Sequence, residues 1–190
     1  MNNGQSPMNE DIEKIILSEE KIQNRVREMS QQIAAHYQAQ KVSGLMVVGV
    51  LSGAVIFMSD LIRMLPLPMT IDFITISSYG GFASSSGNVR ILKDVSDVIE
   101  GRHVLVVEDI VDTGLTLKSL LDILWARKPV SLAVCALLNK PSRRKVEVAM
   151  DFCGFEIPDE FVVGYGLDYD GQYRQLPYIG VLKPEIYLQK

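Results

Sequence analysis

Cysteine is scarce in this chain: Cys135 and Cys153 are the only two among 190 residues. They have no C-x-x-C spacing and no secretory leader before them. A disulfide framework is therefore excluded, and two reduced, buried thiols are predicted. No apolar run approaches the roughly 20 residues that a membrane-spanning helix requires. The stretch Met1 to Asp11 is polar and unlike a signal peptide. There is no basic tail, no repeat and no low-complexity segment, and the net charge is −4 with a pI near 5.2. That balance argues against general affinity for nucleic acid or membrane surfaces. A ligand with several phosphates would need local compensation from Lys, Arg, backbone N–H groups or a divalent cation. Together these absences predict a cytoplasmic protein.

What remains is ordinary globular material, 47% hydrophobic and 22% charged, long enough for one domain, residues 1–190, with a sizeable core. Residues 1–10 are expected to fray. Residues 11–40 read as helical, in one or two pieces, with Ile12, Ile15 and Ile16 starting an apolar face. Leu45 to Val50 reads as a strand, Ser52-Gly53 as a break, and a helix follows to about Met64, ended by Pro66 and Pro68. Thr70 to Ile76 is a strand by its alternation and β-branching. The stretch 79–88, rich in Gly and Ser, is predicted to be the longest flexible loop, with Val89 to Leu92 returning as a short strand. Ser131 to Leu138 is a further strand, and Phe161 to Val163 and Tyr178 to Leu182 are strand candidates. Strands alternating with helices predict an α/β fold, a mostly parallel central sheet flanked by helices on both faces. Ligands of such sheets bind beyond the carboxyl ends of the strands, which here fall near Val50, Ile76, Val107 and Leu138.

The run from Val104 to Thr116, VLVVEDIVDTGLT, carries the most chemistry. Its apolar opening reads as a strand buried on both faces. Glu108 and Asp109 are expected at its carboxyl end, followed by a small polar loop, Asp112 to Thr116. A helix then begins with Leu117, Leu120, Leu121 and Leu124 at helical spacing. Gly114 lets the backbone turn, and the free N–H groups of a helix start face an anion. Adjacent carboxylates can accept from vicinal hydroxyls or sit near a divalent ion. A sugar phosphate offers both partners.

This run resembles the phosphoribosyl-pyrophosphate (PRPP) binding motif of type I phosphoribosyltransferases. Four further segments resemble the hypoxanthine-guanine members, in the family's order: Leu51-Ser52-Gly53-Ala54, Ser77-Ser78-Tyr79-Gly80, the stretch from Leu137 to Arg144, and that from Ile157 to Tyr169. The resemblance spans about Val47 to Gly180. It implies a small hood, built from the terminal segments, over the parallel sheet. It also implies the site residues. Asp112 would be the general base or acid near purine N7. Glu108 and Asp109 would hold the ribose, and Asp112, Thr113, Gly114, Leu115 (by its backbone) and Thr116 would form the loop that takes the ribose phosphate. Ser52 and Gly53 would bind pyrophosphate in a loop where the family often forms a non-proline cis peptide. Ser52 stands where a basic side chain is common, leaving that contact to backbone donors. Arg174 would be a second pyrophosphate contact, its planar guanidinium bridging two oxygens.

For the base, the resemblance assigns Lys140 to O6 of a 6-oxopurine, Phe161 to stacking, and Val162 and Asp168 to the base edge. Glu108, Asp109 and Asp168 would be the protein side of a Mg²⁺ site completed by water and substrate oxygens. Ser78 and Tyr79 would open a mobile active-site loop that keeps water from a cationic transition state. The implied reaction is purine salvage, PRPP plus hypoxanthine or guanine giving the nucleoside monophosphate and pyrophosphate, in a homodimer or homotetramer. A xanthine-preferring enzyme and a nucleotide-sensing RNA-binding regulator are the alternatives. The acidic pI opposes the latter, which needs a basic face.

Overall fold

In the computed structural model, residues 10–78 and 89–188 are described. Six strands form the main sheet in the order β4-β3-β2-β5-β6-β7. They are β2 (Leu45–Leu51), β3 (Met69–Ser78), β4 (Val89–Lys93), β5 (His103–Val111), β6 (Ser131–Asn139) and β7 (Phe152–Glu156). All neighbours are parallel except β3 and β4. Alternation along the central strands divides the core between the two faces. Val47, Leu105, Val107, Cys135 and Leu137 pack with helices α1 (Glu19–Ala39) and α2 (Val55–Met64). Met46, Val48, Val104, Val106 and Val134 pack with Leu117, Leu120 and Leu124 of α3 (Leu115–Trp125). A strand covered on both faces has few positions for a polar residue, which is why β2 and the Val104–Val107 part of β5 read as continuous apolar runs.

A second, antiparallel sheet is ordered β1-β9-β8, from β1 (Ile12–Leu17), β9 (Ile179–Leu182) and β8 (Val162–Val163). It is the hood, and it joins the two ends of the chain. Here the expectation of helix from residue 11 is corrected. Ile12, Ile15 and Ile16 belong to a strand paired with β9, with Ile12 opposite Leu182 and Leu17 opposite Ile179. Three β-branched residues fit a pleated surface. The helix starts only at Ser18, whose hydroxyl caps Lys21 N–H, with Glu19 and Glu20 in the first turn. A short α4 (Pro184–Tyr187) follows β9.

Strand β7 went unrecognised in the sequence because Phe152–Glu156 is short and broken by Gly154. It is nevertheless the edge of the main sheet. Arg25 on α1 donates to the carbonyls of Gly154 (2.9 Å) and Cys153 (2.7 Å). Gly154 approaches so closely that a Cβ there would lie 2.4 Å from the Leu137 carbonyl oxygen. Both cysteines are free, Cys135 buried and Cys153 half-buried. Burial pushes both thiols above their ordinary value, as inert core residues require. Among the described residues no helix is long and apolar enough to cross a membrane.

Candidate active site

The carboxyl ends of β2, β5 and β6 lie side by side because their strands run parallel in the order β2-β5-β6. Strand β5 runs on to Val111, four residues past the expected end at Val107. Glu108 and Asp109 therefore sit within the strand, with Glu108 still in register with Ala136 of β6. The sheet, not a loop, holds them. A cleft of about 250 Å³ is lined by residues from Glu108 to Leu117.

At its far side the loop turns at Gly114, φ +82°, directly into α3. The first-turn amides of a helix have no carbonyl behind them, and α3 carries no acid in its first turn. The positive end of its dipole is thus uncompensated. The loop is braced from behind, because Lys145 and Val146 donate to the Thr113 carbonyl at 2.9 and 3.4 Å. A Cβ on Gly114 would fall 2.9 Å from Arg144 Nη1 and from the Val146 carbonyl oxygen. Asp112, Thr113, Leu115 and Thr116 follow the same turn, so the five predicted phosphate-loop residues are contiguous in space as in sequence.

On the other side, the Leu51–Ser52 peptide is cis, as the resemblance implied. Ser52 is exposed and Gly53 lies against Asp109: a Cβ on Gly53 would stand 1.6 Å from Asp109 Oδ2. Only hydrogen fits there. Gly166, φ +104°, packs on the same turn, and its Cβ would meet the Gly53 carbonyl oxygen at 2.1 Å. This closes the site with the segment 164–174. There Arg174 donates to the Gly166 carbonyl at 2.6 Å and pairs with Asp168 Oδ1 at 2.7 Å, while Gly171 N–H donates to Asp168 Oδ2 at 2.8 Å. Asp168 and Arg174 both act electrostatically on Asp109. The Leu51–Gly53 turn, the acid pair and the Asp168–Arg174 pair thus form one cluster.

The base side is separate. Lys140 is 6% exposed; its N–H donates to the Val111 carbonyl at 3.0 Å and its Nζ to the Glu160 carbonyl at 2.7 Å. Burial pushes its ammonium below the ordinary value, against the pull of Asp112 and Asp159. Phe161 follows Glu160. It is half-buried and stacks on Tyr187 at 4.8 Å, with Tyr169 edge-on at 5.7 Å. Val162 is buried in β8 opposite Val181. Arg143 stands between the two sides, its Nε 3.1 Å from Asp112 Oδ1 and its Nη1 3.5 Å from Asp159 Oδ1. Ser78 ends β3 opposite Val89. Tyr79 and the predicted loop 79–88 lie outside the described residues.

Several contributors escaped the sequence reading. Asn139 is buried at the end of β6 and accepts from Arg144, whose guanidinium also reaches the Val111 carbonyl at 3.4 Å. Tyr165 is buried, with its hydroxyl donating to Asp60 at 2.7 Å. A polar residue closing an apolar strand and the G-Y-G spacing were the available signals.

Glu108, Asp109 and Asp168 suit a hard dication by chemistry, since all are oxygen donors. Among the described residues no three His, Cys, Asp or Glu side chains form a ready-made metal cluster. Burial, then the neighbouring Asp109, holds the Glu108 carboxyl well above the usual range, and burial pushes Asp109 up to about 6. A raised carboxyl stabilises the fold when protonated. Its contribution is complete below about pH 4 and is lost as pH rises through about 6. Asp109→Asn is therefore expected to stabilise the metal-free protein by about 2 kcal/mol at pH 8, with the shift discounted for partial solvent access. The gain should vanish near pH 4. Thermal melts in EDTA at the two pH values test this; equal melting temperatures at pH 8 would refute it.

Comparison with known proteins agrees with this geometry. The family model of a phosphoribosyl transferase domain matches residues 14–170. The chain is 49% identical over 180 residues to the hypoxanthine-guanine phosphoribosyltransferase of Bacillus subtilis, covering 95% of this chain and 98% of that one. It is 51% identical over 166 residues to the hypoxanthine phosphoribosyltransferase of Haemophilus influenzae, covering 87% and 93%. A crystal structure of a hypoxanthine phosphoribosyltransferase from Staphylococcus aureus superposes with a TM-score of 0.92 at 48% identity, covering 97% of this chain and 99% of that one. With a glycine turn opening α3, a half-buried acid pair and a buried lysine at the ends of neighbouring parallel strands, the chain belongs to the hypoxanthine-guanine phosphoribosyltransferase family.

Proposed function

We propose that this enzyme transfers 5-phosphoribosyl from PRPP to N9 of hypoxanthine and guanine, giving IMP or GMP and pyrophosphate. One observation carries the reading. The loop at the end of β5 and Lys140 at the end of β6 are joined by the bond from Lys140 N–H to the Val111 carbonyl. That link keeps the loop and Lys140 on neighbouring strand ends, as a ligand carrying both a phosphate and a purine requires.

Thr113, Gly114, Leu115 and Thr116 receive the 5′-phosphate through backbone N–H groups and hydroxyls. Glu108 and Asp109 hold the ribose hydroxyls, and their charge favours the cationic sugar as the glycosidic bond exchanges. Asp112 takes the N7 proton while N9 bonds to the anomeric carbon and pyrophosphate departs with its bonding pair. Lys140 donates to O6, Phe161 stacks on the ring, and the backbone around Val162 and Asp168 reads the base edge. Ser52, Gly53 and Arg174 receive pyrophosphate. For that role Arg174 would exchange its pairing with Asp168 for phosphate oxygens, freeing Asp168 to help hold the metal. Glu108, Asp109 and Asp168 would hold Mg²⁺, which would supply charge neutralisation for the departing pyrophosphate. The domain comprises residues 1–190, works in the cytoplasm and assembles as a homodimer or homotetramer.

The test is initial rate with PRPP and Mg²⁺ against hypoxanthine, guanine, xanthine, adenine and uracil. Turnover is expected with hypoxanthine and guanine and should be abolished by EDTA. Preference for xanthine would reassign the base edge, and no turnover with any base would overturn the reading.

A further inference from the structure

We infer that Arg143 is a latch over the proton-acceptor side of the purine site, displaced by the incoming base. The inference rests on the reading of Asp112 as the group facing purine N7. Arg143 ends the 3-10 turn Pro141–Arg143 that follows Lys140. Its guanidinium spans two carboxylates from different parts of the fold: Asp112 beyond β5 at 3.1 Å, and Asp159 in the connection between β7 and β8 at 3.5 Å. The second connection leads directly to Phe161 and Val162. The bridge therefore crosses the mouth of the base site.

Two properties make it a latch and not a fixed strut. Asp112 Oδ1 is enclosed by protein, yet it accepts no hydrogen bond of good geometry. Arg143 supplies charge there without a directed donor, so the oxygen is covered but not satisfied. A purine N7–H offers the missing directed bond, which an enclosed carboxylate oxygen favours. The Arg143 side chain, moreover, is 45% exposed, and Asp159 is 54% exposed. The guanidinium can swing outward, keep Asp159 and lose little packing. Lys140, one turn earlier, is the contrast, since its ammonium is buried and anchored to the Glu160 carbonyl. One cation of the turn is fixed to read the base, and the other moves to admit it.

Opening the Asp112 contact weighs on purine binding and on nothing else. With the full chain at saturating PRPP and Mg²⁺, Arg143→Ala and Arg143→Gln are expected to lower KM for hypoxanthine about three- to fivefold, the size of a half-exposed ion pair. kcat should stay within about twofold by the same reasoning, and KM for PRPP should not move. Arg143→Lys, a point charge unable to span both carboxylates, should fall between. A merely structural arginine would instead raise both KM values or lower kcat. The glutamine variant, neutral and of similar length, guards against a folding defect in the alanine variant. An unchanged or raised KM for hypoxanthine in both overturns the latch. If the wild type turns over no 6-oxopurine, the reading of the site fails first and the latch with it.

Discussion

Asp112→Asn is expected to lower kcat for hypoxanthine by about 100- to 1,000-fold, within the range of general acid–base catalysis. KM for PRPP should change little. Asparagine keeps the shape of the side chain and can still accept at Oδ1, but it cannot take a proton. The loop around it stands on other supports. Thr113 accepts from Lys145 and Val146, and Gly114 opens α3. Because Arg143 and Asp159 form a surface pair of their own, removing the Asp112 charge should leave the melting temperature nearly unchanged. Loss of kcat without loss of stability separates a chemical role from a helix-capping one. If turnover persists within about tenfold, the N7 proton leaves by another route.

Gly166→Ala should have the largest effect on the fold itself. Its φ of +104° is outside what an L side chain adopts comfortably, and the added Cβ would lie 2.1 Å from the Gly53 carbonyl oxygen. A backbone atom cannot step aside as a side chain does, so either the 164–174 segment or the turn after β2 must move. About 4 kcal/mol and about 10 °C in Tm are expected. Gly53→Ala makes the instructive contrast. Its Cβ would meet a carboxylate, Asp109 Oδ2 at 1.6 Å, which can rotate away. That variant should fold with a smaller loss, yet lose PRPP turnover because Asp109 is expelled from the site. Thermal melts and single-turnover assays on the two variants distinguish these outcomes. Similar stability for both would show that the segment adjusts freely.

What could be read in advance followed from local signals. The central strands announced themselves because burial on both faces leaves only apolar residues, and the start of α3 because glycine and hydroxyls precede a leucine stripe. The carboxyl-end rule then placed Gly53, Asp109, Asp112 and Lys140 near one another without coordinates. The misreadings came where pairing partners were distant. Ile12 to Leu17 was taken for helix because its partner, β9, lies at the other end of the chain. Strand β7 is short and interrupted by Gly154, whose reason is a close approach to Leu137. The extension of β5 to Val111 likewise depends on β6, since Glu108 and Ile110 remain in register with Ala136 and Leu138. The roles of Arg143 and Arg144 were hidden because adjacent arginines in a turn look alike. One reaches Asp112 across the mouth while the other is drawn inward to Asn139.

The hood has a consequence for how the molecule comes into being. Chains emerge from the ribosome N-terminus first, and by residue 139 every strand from β2 to β6 is available, so the acid pair and phosphate loop can form early. β1, made first, waits longest. Its partner β9 follows every strand of the main sheet in sequence, and β9 also supplies the pairing for Val162 and the N–H that the Phe161 carbonyl accepts. The segment at Phe161 and Val162 is thus paired only once β9 is in place. A chain without β9 would keep the parallel main sheet while losing the strand that pairs with both β1 and β8.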